Sequence, residues 1–402
     1  MINIVCFNGG RGASSLITSI LGNPVIKLTS VVNAYDDGKS TGAIRRYFDM
    51  LGPSDLRKVQ QLMLPAKDVD FASNFWLFEF RFPENINNKV ALKELHTETL
   101  AKRAIFFGHH FHNKALLSEI KSYLKLFLQN LDIIQRSKNF KNFSFKDCSL
   151  MNCIYAGAFL AHGRNLENAT LAIEKLFNLT ASVLPNSLEN KKLMGIRENG
   201  TFLYNESEIV ELRSNVSVER VFLLDDYLDQ KNFHSLSKKD KLTYLTSHQS
   251  YIEATPRVMR AISDADIIIF APGTQHSSLY PTYLSRGVGQ GIADNHMAKK
   301  IFISNIGADY ETPKYYADDY ILGAFKYVKL SDLRPYKIEE LFTDFLVNTP
   351  KSKDRMRYVQ IRQKNLTSIP VNLIVDDYEC PNQPGKHSGD KLLEVILKVH
   401  NS

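Results

Sequence analysis

A cluster of glycines follows the first apolar run of the chain, which covers residues 2–7. Glycine allows the backbone to turn sharply and to approach a ligand without obstruction by a Cβ atom. The free N–H groups at the start of the helix that follows form an anion site. The third glycine of the dinucleotide fingerprint is missing, because Ser15 stands there. The segment predicts a phosphate-binding turn made of Gly9, Gly10, Arg11 and Gly12, and a simple chain reversal is the alternative.

Adjacent carboxylates follow the second apolar run, in a segment that also carries hydroxyl groups and arginine. Such groups can hold a hard cation together with phosphate oxygens, whereas a plain Asp-Asp-Gly turn is the alternative. A further carboxylate, Asp55, either joins the metal or caps a helix. We predict Asp37 and Asp55 as metal ligands, with Asp36 as the alternative to Asp37. Asp37, Asp55 and Arg45 are the predicted catalytic residues. The phosphate-binding residues predicted in this segment are Asp36, Gly38, Lys39, Ser40 and Thr41.

Three histidines stand within the four positions 109–112. Only His109 and His112 have the spacing of a pair on one helix face, and no acidic residue lies in the motif. We therefore favour polar contact of His109 and Asn113 with a ligand over a metal site.

Two later apolar runs end in polar loops. The run 267–270 leads into a Pro-Gly-Thr segment, and the next run ends at a Ser-Asn pair. In open α/β sheets, ligands lie outside the carboxyl ends of the strands. We predict ligand contacts from Gly273, Thr274, His276 and Asn305, with ordinary polar turns as the alternative.

The elements that must position these loops follow from the hydrophobic pattern. Short apolar runs predict buried strands at residues 2–7, 28–33, 218–224, 267–270, 300–304 and 371–375. Helical spacing predicts helices at 114–131, 166–177 and 390–399. The alternation predicts an α/β fold with a mostly parallel sheet flanked by helices, whose strand-end loops converge on one crevice.

The motifs together resemble the CofD-like family, which contains 2-phospho-L-lactate transferase and the bacterial gluconeogenesis factors. The resemblance runs from end to end in the family's order. It is carried by the segments at 9–12, 36–45, 53–57, 108–113, 183–187, 206–209, 271–274, 304–305, 311–319 and 387–397.

The resemblance implies a Rossmann-like fold that binds a nucleotide or nucleotide sugar, and a role for Mg²⁺ in the transferase branch. The segments at 37–42 and 272–274 look more like the gluconeogenesis factors, which implies a UDP-sugar-binding regulator. We nevertheless place a magnesium-dependent transferase of a phospho-linked group first, because the carboxylates that the metal would need are all present. The regulator is the alternative.

The chain departs from the family at several positions, such as Asn8 in place of the first glycine of the opening motif. We expect a single domain over residues 1–402, with insertions near 134–147, 225–250 and 330–360 that make it a longer, divergent member. The family resemblance also favours a homodimer.

The composition and charge of the chain limit the kinds of binding partner that we expect. The chain has 402 residues, a net charge of +7 and 44% hydrophobic residues, which are ordinary values for a globular protein. Clustered arginines with interleaved aromatics are missing, so we expect no nucleic-acid partner. The sequence shows neither a signal peptide nor an apolar stretch of about 18 residues. We therefore expect a cytoplasmic protein with no membrane contact.

Overall fold

The computed structural model describes residues 1–137, 143–229, 233–332 and 334–402. Within these ranges the chain divides into two compact units. Unit 1 contains residues 1–35 and 184–402, and unit 2 contains residues 36–183. The prediction of one domain over the whole chain stays a prediction. Each of the three predicted insertions includes residues outside the described ranges, namely 138–142, 230–232 and 333.

The strands, in chain order, are β1 (Ile2–Phe7), β2 (Ile26–Val32), β3 (Ile105–Phe106), β4 (His109–His110), β5 (Ser182–Pro185), β6 (Lys192–Arg197), β7 (Phe202–Leu203), β8 (Val218–Leu224), β9 (Ile252–Glu253), β10 (Ile267–Phe270), β11 (Ser285–Arg286), β12 (Lys299–Ile303), β13 (Asp344–Asn348), β14 (Asn372–Asp376), β15 (Glu379–Cys380) and β16 (Gln383–His387).

The helices are α1 (Ser14–Leu21), α2 (Lys39–Phe48), α3 (Ser54–Leu62), α4 (Phe71–Glu79), α5 (Asn88–Leu100), α6 (Lys114–Arg136), α7 (Leu150–Ala161), α8 (Leu166–Leu176), α9 (Glu206–Glu211), α10 (Lys238–Ser247), α11 (Pro256–Ser263), α12 (Tyr280–Tyr283), α13 (Val288–Asp294), α14 (Ala317–Ser331), α15 (Ile338–Leu341), α16 (Gln363–Leu366) and α17 (Gly389–His400). A π-helical turn, Gln275–Leu279, precedes α12.

A seven-stranded parallel sheet forms the centre of the fold, in the order β14-β13-β12-β10-β1-β2-β5. The chain builds outward from β1 in one direction and then returns to β10 on its other side. This is the doubly wound order of Rossmann-like folds, and it places the topological switch point between β1 and β10. The predicted α/β class with a mostly parallel sheet is confirmed.

Buried apolar strands at the switch point hold the sheet together. Ile267–Phe270 is fully buried, as expected for a strand covered on both faces. Phe7 pairs with Phe270 in register, and the two rings stack with their centroids 5.4 Å apart. Helix α17 packs against α1 so closely that a Cβ on Gly389 would lie 2.0 Å from the Ser15 carbonyl oxygen.

A second, antiparallel sheet in unit 1 has the order β7-β6-β8. The predicted strand at 218–224 is confirmed, but it lies in this sheet and not in the parallel one. The sheet packs its own apolar core with α10. The buried members of this core are Met194, Ile196, Phe202, Phe222, Leu224, Phe233 and Leu245.

Unit 2 is largely helical and contains α2 to α8 with the short hairpin β3–β4. Its central helix is α7, in which residues 150–159 are all buried. Helix α6 lies against α7 at one point where no side chain fits, because a Cβ on Gly157 would stand 1.9 Å from the Tyr123 carbonyl oxygen.

Within the described ranges, no helix is both long enough and apolar enough to cross a membrane.

We predict that Gly157→Ala destabilises unit 2 by roughly 1–3 kcal/mol, since α6 and α7 must separate to admit the added methyl group. Gly22→Ala is the matched control: the residue has a helical backbone (φ −69°), and the nearest atom to its added Cβ would lie 3.4 Å away. The measurement is the midpoint of thermal unfolding followed by circular dichroism. Equal midpoints for both variants would contradict the close approach of α6 and α7.

Candidate functional site

The loops after β1 and β10 touch each other at the switch point of the sheet. A Cβ built on Gly12 would stand 2.8 Å from the Gly273 Cα atom and 2.8 Å from the Pro272 carbonyl oxygen. A Cβ on Gly9 would lie 2.9 Å from the Ser278 Cβ atom. The two glycines predicted to approach a ligand are therefore also required by the contact between the loops.

Asn305, after β12, holds the second loop through its main chain. Its Oδ1 accepts a hydrogen bond from the Gly273 N–H at 2.9 Å, and its Nδ2 donates to the Gly273 carbonyl at 2.9 Å. Gln275 Nε2 donates to the same carbonyl at 2.8 Å. Asn305 thus fixes Gly273 through both its amide oxygen and its amide nitrogen, so this residue shapes the crevice.

A cavity of about 330 Å³ opens between these loops. Its walls include Arg11, Gly12, Gly273 and Asn305 from the predicted site, and Ser14 and Ser15 from the start of α1. No side chain caps the amino end of α1. A cavity that joins uncapped helix N–H groups to a guanidinium suits an anion.

Strand β16 supplies a wall of the cavity that the sequence patterns did not predict as a site. Gln383, Gly385, Lys386 and His387 line it. Burial lowers the pKa of His387 to about 4, so its imidazole is neutral at pH 7. Its Nε2 is buried without a hydrogen-bond partner among the described residues. A short strand with a glycine gives no local signal of ligand contact, so only the fold reveals this wall.

Thr274 begins the π-helical turn, and its hydroxyl donates to the Ser278 hydroxyl at 2.9 Å. His276, the second residue of this turn, is fully buried and does not line the cavity. Its ring packs edge-on against Tyr280, with centroids 4.8 Å apart. Burial lowers the pKa of His276 to about 3, so the ring is neutral.

A buried carboxylate, Glu311, ties down the same turn. Its Oε2 accepts hydrogen bonds from the His276 N–H at 2.8 Å and the Ser277 N–H at 3.2 Å. The Ser277 hydroxyl donates to its other oxygen. Burial, together with the neighbouring Asp309, raises the pKa of Glu311 to about 7. Glu311 belongs to a segment that carries the family resemblance, and this is the signal that could have marked it.

In unit 2, two carboxylates come close together beside a lysine. Burial and the charge of Asp55 raise the pKa of Asp36, although Lys58 and the N–H of Gly38 oppose the shift. Lys58 Nζ lies 2.7 Å from Asp55 Oδ1. Asp36 and Asp55 therefore form an acidic pair whose mutual repulsion Lys58 offsets in part.

Asp37 faces the first turns of α2. A Cβ on Gly42 would lie 2.3 Å from its carbonyl oxygen, and Arg46 approaches its carboxylate at 3.8 Å. Arg45 is buried, and its guanidinium lies 4.0 Å from Asp37 Oδ1 and 3.4 Å from the Asp36 carbonyl oxygen. The structure thus places Arg45 against the carboxylate loop.

Hydroxyl groups of the predicted phosphate segment are joined by a residue from α7. Thr41 Oγ1 lies 2.6 Å from Ser54 Oγ, and Asn152 Nδ2 lies 3.3 to 3.4 Å from the hydroxyls of Ser40, Thr41 and Ser54. Lys39 points elsewhere, since its Nζ bonds to Asp147 at 2.6 Å. Asn152 was not predicted, because no motif surrounds it in α7.

His109 and Asn113 lie in another part of unit 2. His109 stacks on Trp76 with the ring centroids 3.9 Å apart. Asn113 caps α6 by accepting from the Leu116 N–H at 3.0 Å. The structure gives both residues a packing or capping role.

The part of the chain that the structure describes contains no group of three or more His, Cys, Asp or Glu side chains arranged to hold a metal. The structure brings together Gly9, Gly10, Arg11, Gly12, Gly273, Thr274 and Asn305 in unit 1. It brings together Asp36, Asp37, Gly38, Ser40, Thr41, Arg45 and Asp55 in unit 2.

The raised pKa of Glu311 predicts a pH-dependent stability. Between pH 4.5, its ordinary pKa, and about 7, the folded protein holds a proton that the unfolded chain has released, so stability falls as pH rises through this window. Glu311→Gln is neutral throughout. We therefore expect the difference in melting temperature, variant minus wild type, to increase by a few degrees as the pH rises from 4.5 to about 7.

The melting curves are recorded at several pH values by differential scanning fluorimetry. Taking the difference between variant and wild type removes the contributions of His276 and His387, which are common to both. Glu339→Gln, at an exposed position of α15, is the control. A difference that is the same at every pH would show that Glu311 is ionised in the folded protein.

Comparison with known proteins identifies the family of this chain. The family model described as 2-phospho-L-lactate transferase CofD matches residues 4–377. A putative gluconeogenesis factor of Thermotoga maritima is 24% identical and covers 99% of both chains. The gluconeogenesis factor of Halalkalibacterium halodurans is 24% identical over 98% of this chain and 96% of its own length.

Solved structures share the fold. A crystal structure of a Bacillus halodurans protein matches with a TM-score of 0.67 at 22% identity, covering 98% of this chain and 99% of the other. A second structure from that organism, described as a member of the UPF0052 family, matches with a TM-score of 0.63 at 21% identity and covers 99% of both chains. The match of the family model over nearly the whole chain is decisive: the chain belongs to the CofD family.

Proposed function

We propose that the crevice in unit 1 binds the diphosphate of a nucleotide or of a nucleoside-diphosphate-linked ligand. The observation that carries this proposal is the cavity at the switch point, bounded by Gly12, Gly273 and the uncapped start of α1. Doubly wound sheets bind nucleotides at this position. Its volume of about 330 Å³ is within the range of small-ligand sites.

The charges around the cavity support an anionic ligand. Arg11 lines it from the loop after β1 and Lys386 from strand β16, and both residues are exposed. The partial positive charge at the start of α1 adds to their field. His387 is neutral and its buried Nε2 can hydrogen-bond to a ligand without a change of charge.

We predict that thermal-shift screening against GDP, UDP, UDP-sugars and CDP-linked compounds will raise the melting temperature for at least one of them, because a ligand that binds only the folded state stabilises it. Lys386→Gln should weaken that ligand about tenfold, the effect of losing one charge-assisted hydrogen bond. Lys27→Gln, at an exposed position of β2, is the matched control. If no compound shifts the melting temperature, the crevice is not a nucleotide site.

A second candidate function is magnesium-dependent transfer of a phospho-linked group from such a ligand to the hydroxyl of an acceptor. The acceptor oxygen forms the new bond to phosphorus, the nucleoside monophosphate leaves as the P–O bond of the diphosphate breaks, and the hydroxyl proton passes to solvent. The observation that favours it is the crowded pair of carboxylates in unit 2, where Asp55 raises the pKa of Asp36. Carboxylate and hydroxyl oxygens are the donors that Mg²⁺ prefers, so this set fits the ion. Asp55 with Asp36, rather than the predicted Asp37, would hold Mg²⁺, since Asp36 is the carboxylate that lies close to Asp55. When bound, the ion would offset charge on phosphate oxygens. Arg45 keeps the carboxylate loop in place.

For this candidate we predict that Asp55→Asn retains the thermal shift with the nucleotide and loses turnover of a nucleoside-diphosphate-linked donor. Asp132→Asn, an exposed change on α6, is the control. Product formation is followed by mass spectrometry with and without Mg²⁺. If the wild-type protein binds the donor but forms no product at any Mg²⁺ concentration, the transferase candidate fails, and the non-catalytic regulator of the gluconeogenesis-factor type is the function that stands.

A further inference from the structure

A second cavity lies in unit 1 beside the antiparallel sheet, where the β6–β7 turn, α9 and the start of α10 meet. Its volume is about 550 Å³. The lining residues that matter are Thr201, Phe202, Tyr204, Glu208, His234 and Lys241. None of its lining residues lines the nucleotide crevice.

Lys241 is the unusual member of this set. Only 7% of the residue is exposed, yet its side chain lines the cavity. Within the described ranges, its ammonium group has neither a hydrogen-bond partner nor an ion-pair partner. The aliphatic stem of Lys241 is buried, while its ammonium group remains accessible from the cavity.

The neighbouring lysine of α10 shows the contrast. Lys238 lies one turn earlier, and its Nζ is 2.5 Å from Glu219 Oε2 and 2.7 Å from the Glu198 carbonyl oxygen. The turn of the β6–β7 hairpin approaches this lysine closely, since a Cβ on Gly200 would lie 3.2 Å from the Lys238 Cβ atom. Lys238 thus links α10 to the sheet through an ion pair with Glu219, whereas Lys241 lines the cavity.

Other groups in the cavity define what an occupant must offer. Glu208 accepts a hydrogen bond from the Tyr204 N–H at 2.9 Å and one from Asn205 Nδ2 at 3.4 Å. A carboxylate has about four acceptor positions, so Glu208 can accept another hydrogen bond. Phe202 and Tyr204 form an aromatic wall, with ring centroids 4.5 Å apart. An occupant needs an anionic group, a hydrogen-bond donor and a small apolar body.

We propose that this cavity binds a small carboxylate that carries a hydroxyl or amino group, with the carboxylate on Lys241 and the donor on Glu208. A carboxylate would pair with the ammonium group of Lys241, and the donor would separate the ligand's anionic end from the acidic side chain of Glu208. This second site is independent of the nucleotide proposal, because it uses a different cavity and different residues.

The test uses two acids of equal size, glycolate and propionate, which differ in the hydroxyl donor, and inorganic phosphate as a third probe. Binding to the full chain is measured by saturation-transfer NMR titration. We expect glycolate to bind more tightly than propionate, and Lys241→Met to weaken glycolate about tenfold or more. Lys239→Met, an exposed change on the same helix, should leave binding unchanged.

A melting curve of each variant separates binding from folding. Methionine keeps most of the side-chain volume and removes no ion pair with the described residues, so Lys241→Met should melt close to the wild-type temperature. Unchanged glycolate binding by a folded Lys241→Met variant would overturn the site. So would the failure of glycolate to bind, or phosphate binding in its place. Equal affinity for glycolate and propionate would show that Glu208 does not accept a hydrogen bond from the ligand's hydroxyl group.

Discussion

The contact between the loops after β1 and β10 is the constraint on which the candidate site depends. The Gly12 and Gly273 backbones meet where a single Cβ would lie 2.8 Å from its neighbours. This contact is possible because β1 and β10 are adjacent parallel strands at the point where the winding of the sheet reverses. The same absence of side chains that lets the loops meet leaves main-chain groups and the start of α1 facing the cavity.

Two polar residues support this contact, and only Asn305 was predicted from the sequence as a ligand contact. The side-chain amide of Asn305 hydrogen-bonds to both the N–H and the carbonyl of Gly273. Glu311 accepts hydrogen bonds from N–H groups of the turn that follows. Glu311 and the turn residues His276 and Ser277 are buried, so the loss of their bonds would leave unsatisfied groups in the interior. A cavity with such a rigid frame loses little entropy when it binds a ligand, which is the property expected of a preorganised site.

In unit 2, the acidic side chains of the predicted site lie beside basic side chains. Its carboxylates are not isolated, because Lys58 pairs with Asp55 and two arginines of α2 approach Asp37. A loop in which opposite charges already compensate each other is stable without a ligand. Membership of the CofD family is compatible with both a transferase and a regulator, and the difference rests on whether these carboxylates act on a bound donor.

Much of the fold follows from local sequence patterns. The apolar runs at 2–7 and 267–270 match β1 and β10, and the helical spacing at 114–131 and 166–177 marks α6 and α8. Periodicity reports burial, so it finds the strands and helices whose faces are most consistently apolar. It did not show that the run 218–224 joins an antiparallel sheet, because a buried strand has the same pattern whatever its partner.

The sequence by itself determined the α/β class, the family and the glycine loop that begins the candidate site. The tertiary structure alone decided which polar side chains face a cavity. Lys386 and His387 reach the crevice from a strand about 375 residues after Arg11, whereas His276 turns into a cluster of tyrosines. Lys241 lines a cavity although it stands in a lysine-rich stretch, residues 238–241, in which Lys239 is exposed. The direction of a side chain depends on the packing of distant segments, and no local pattern of residues records it.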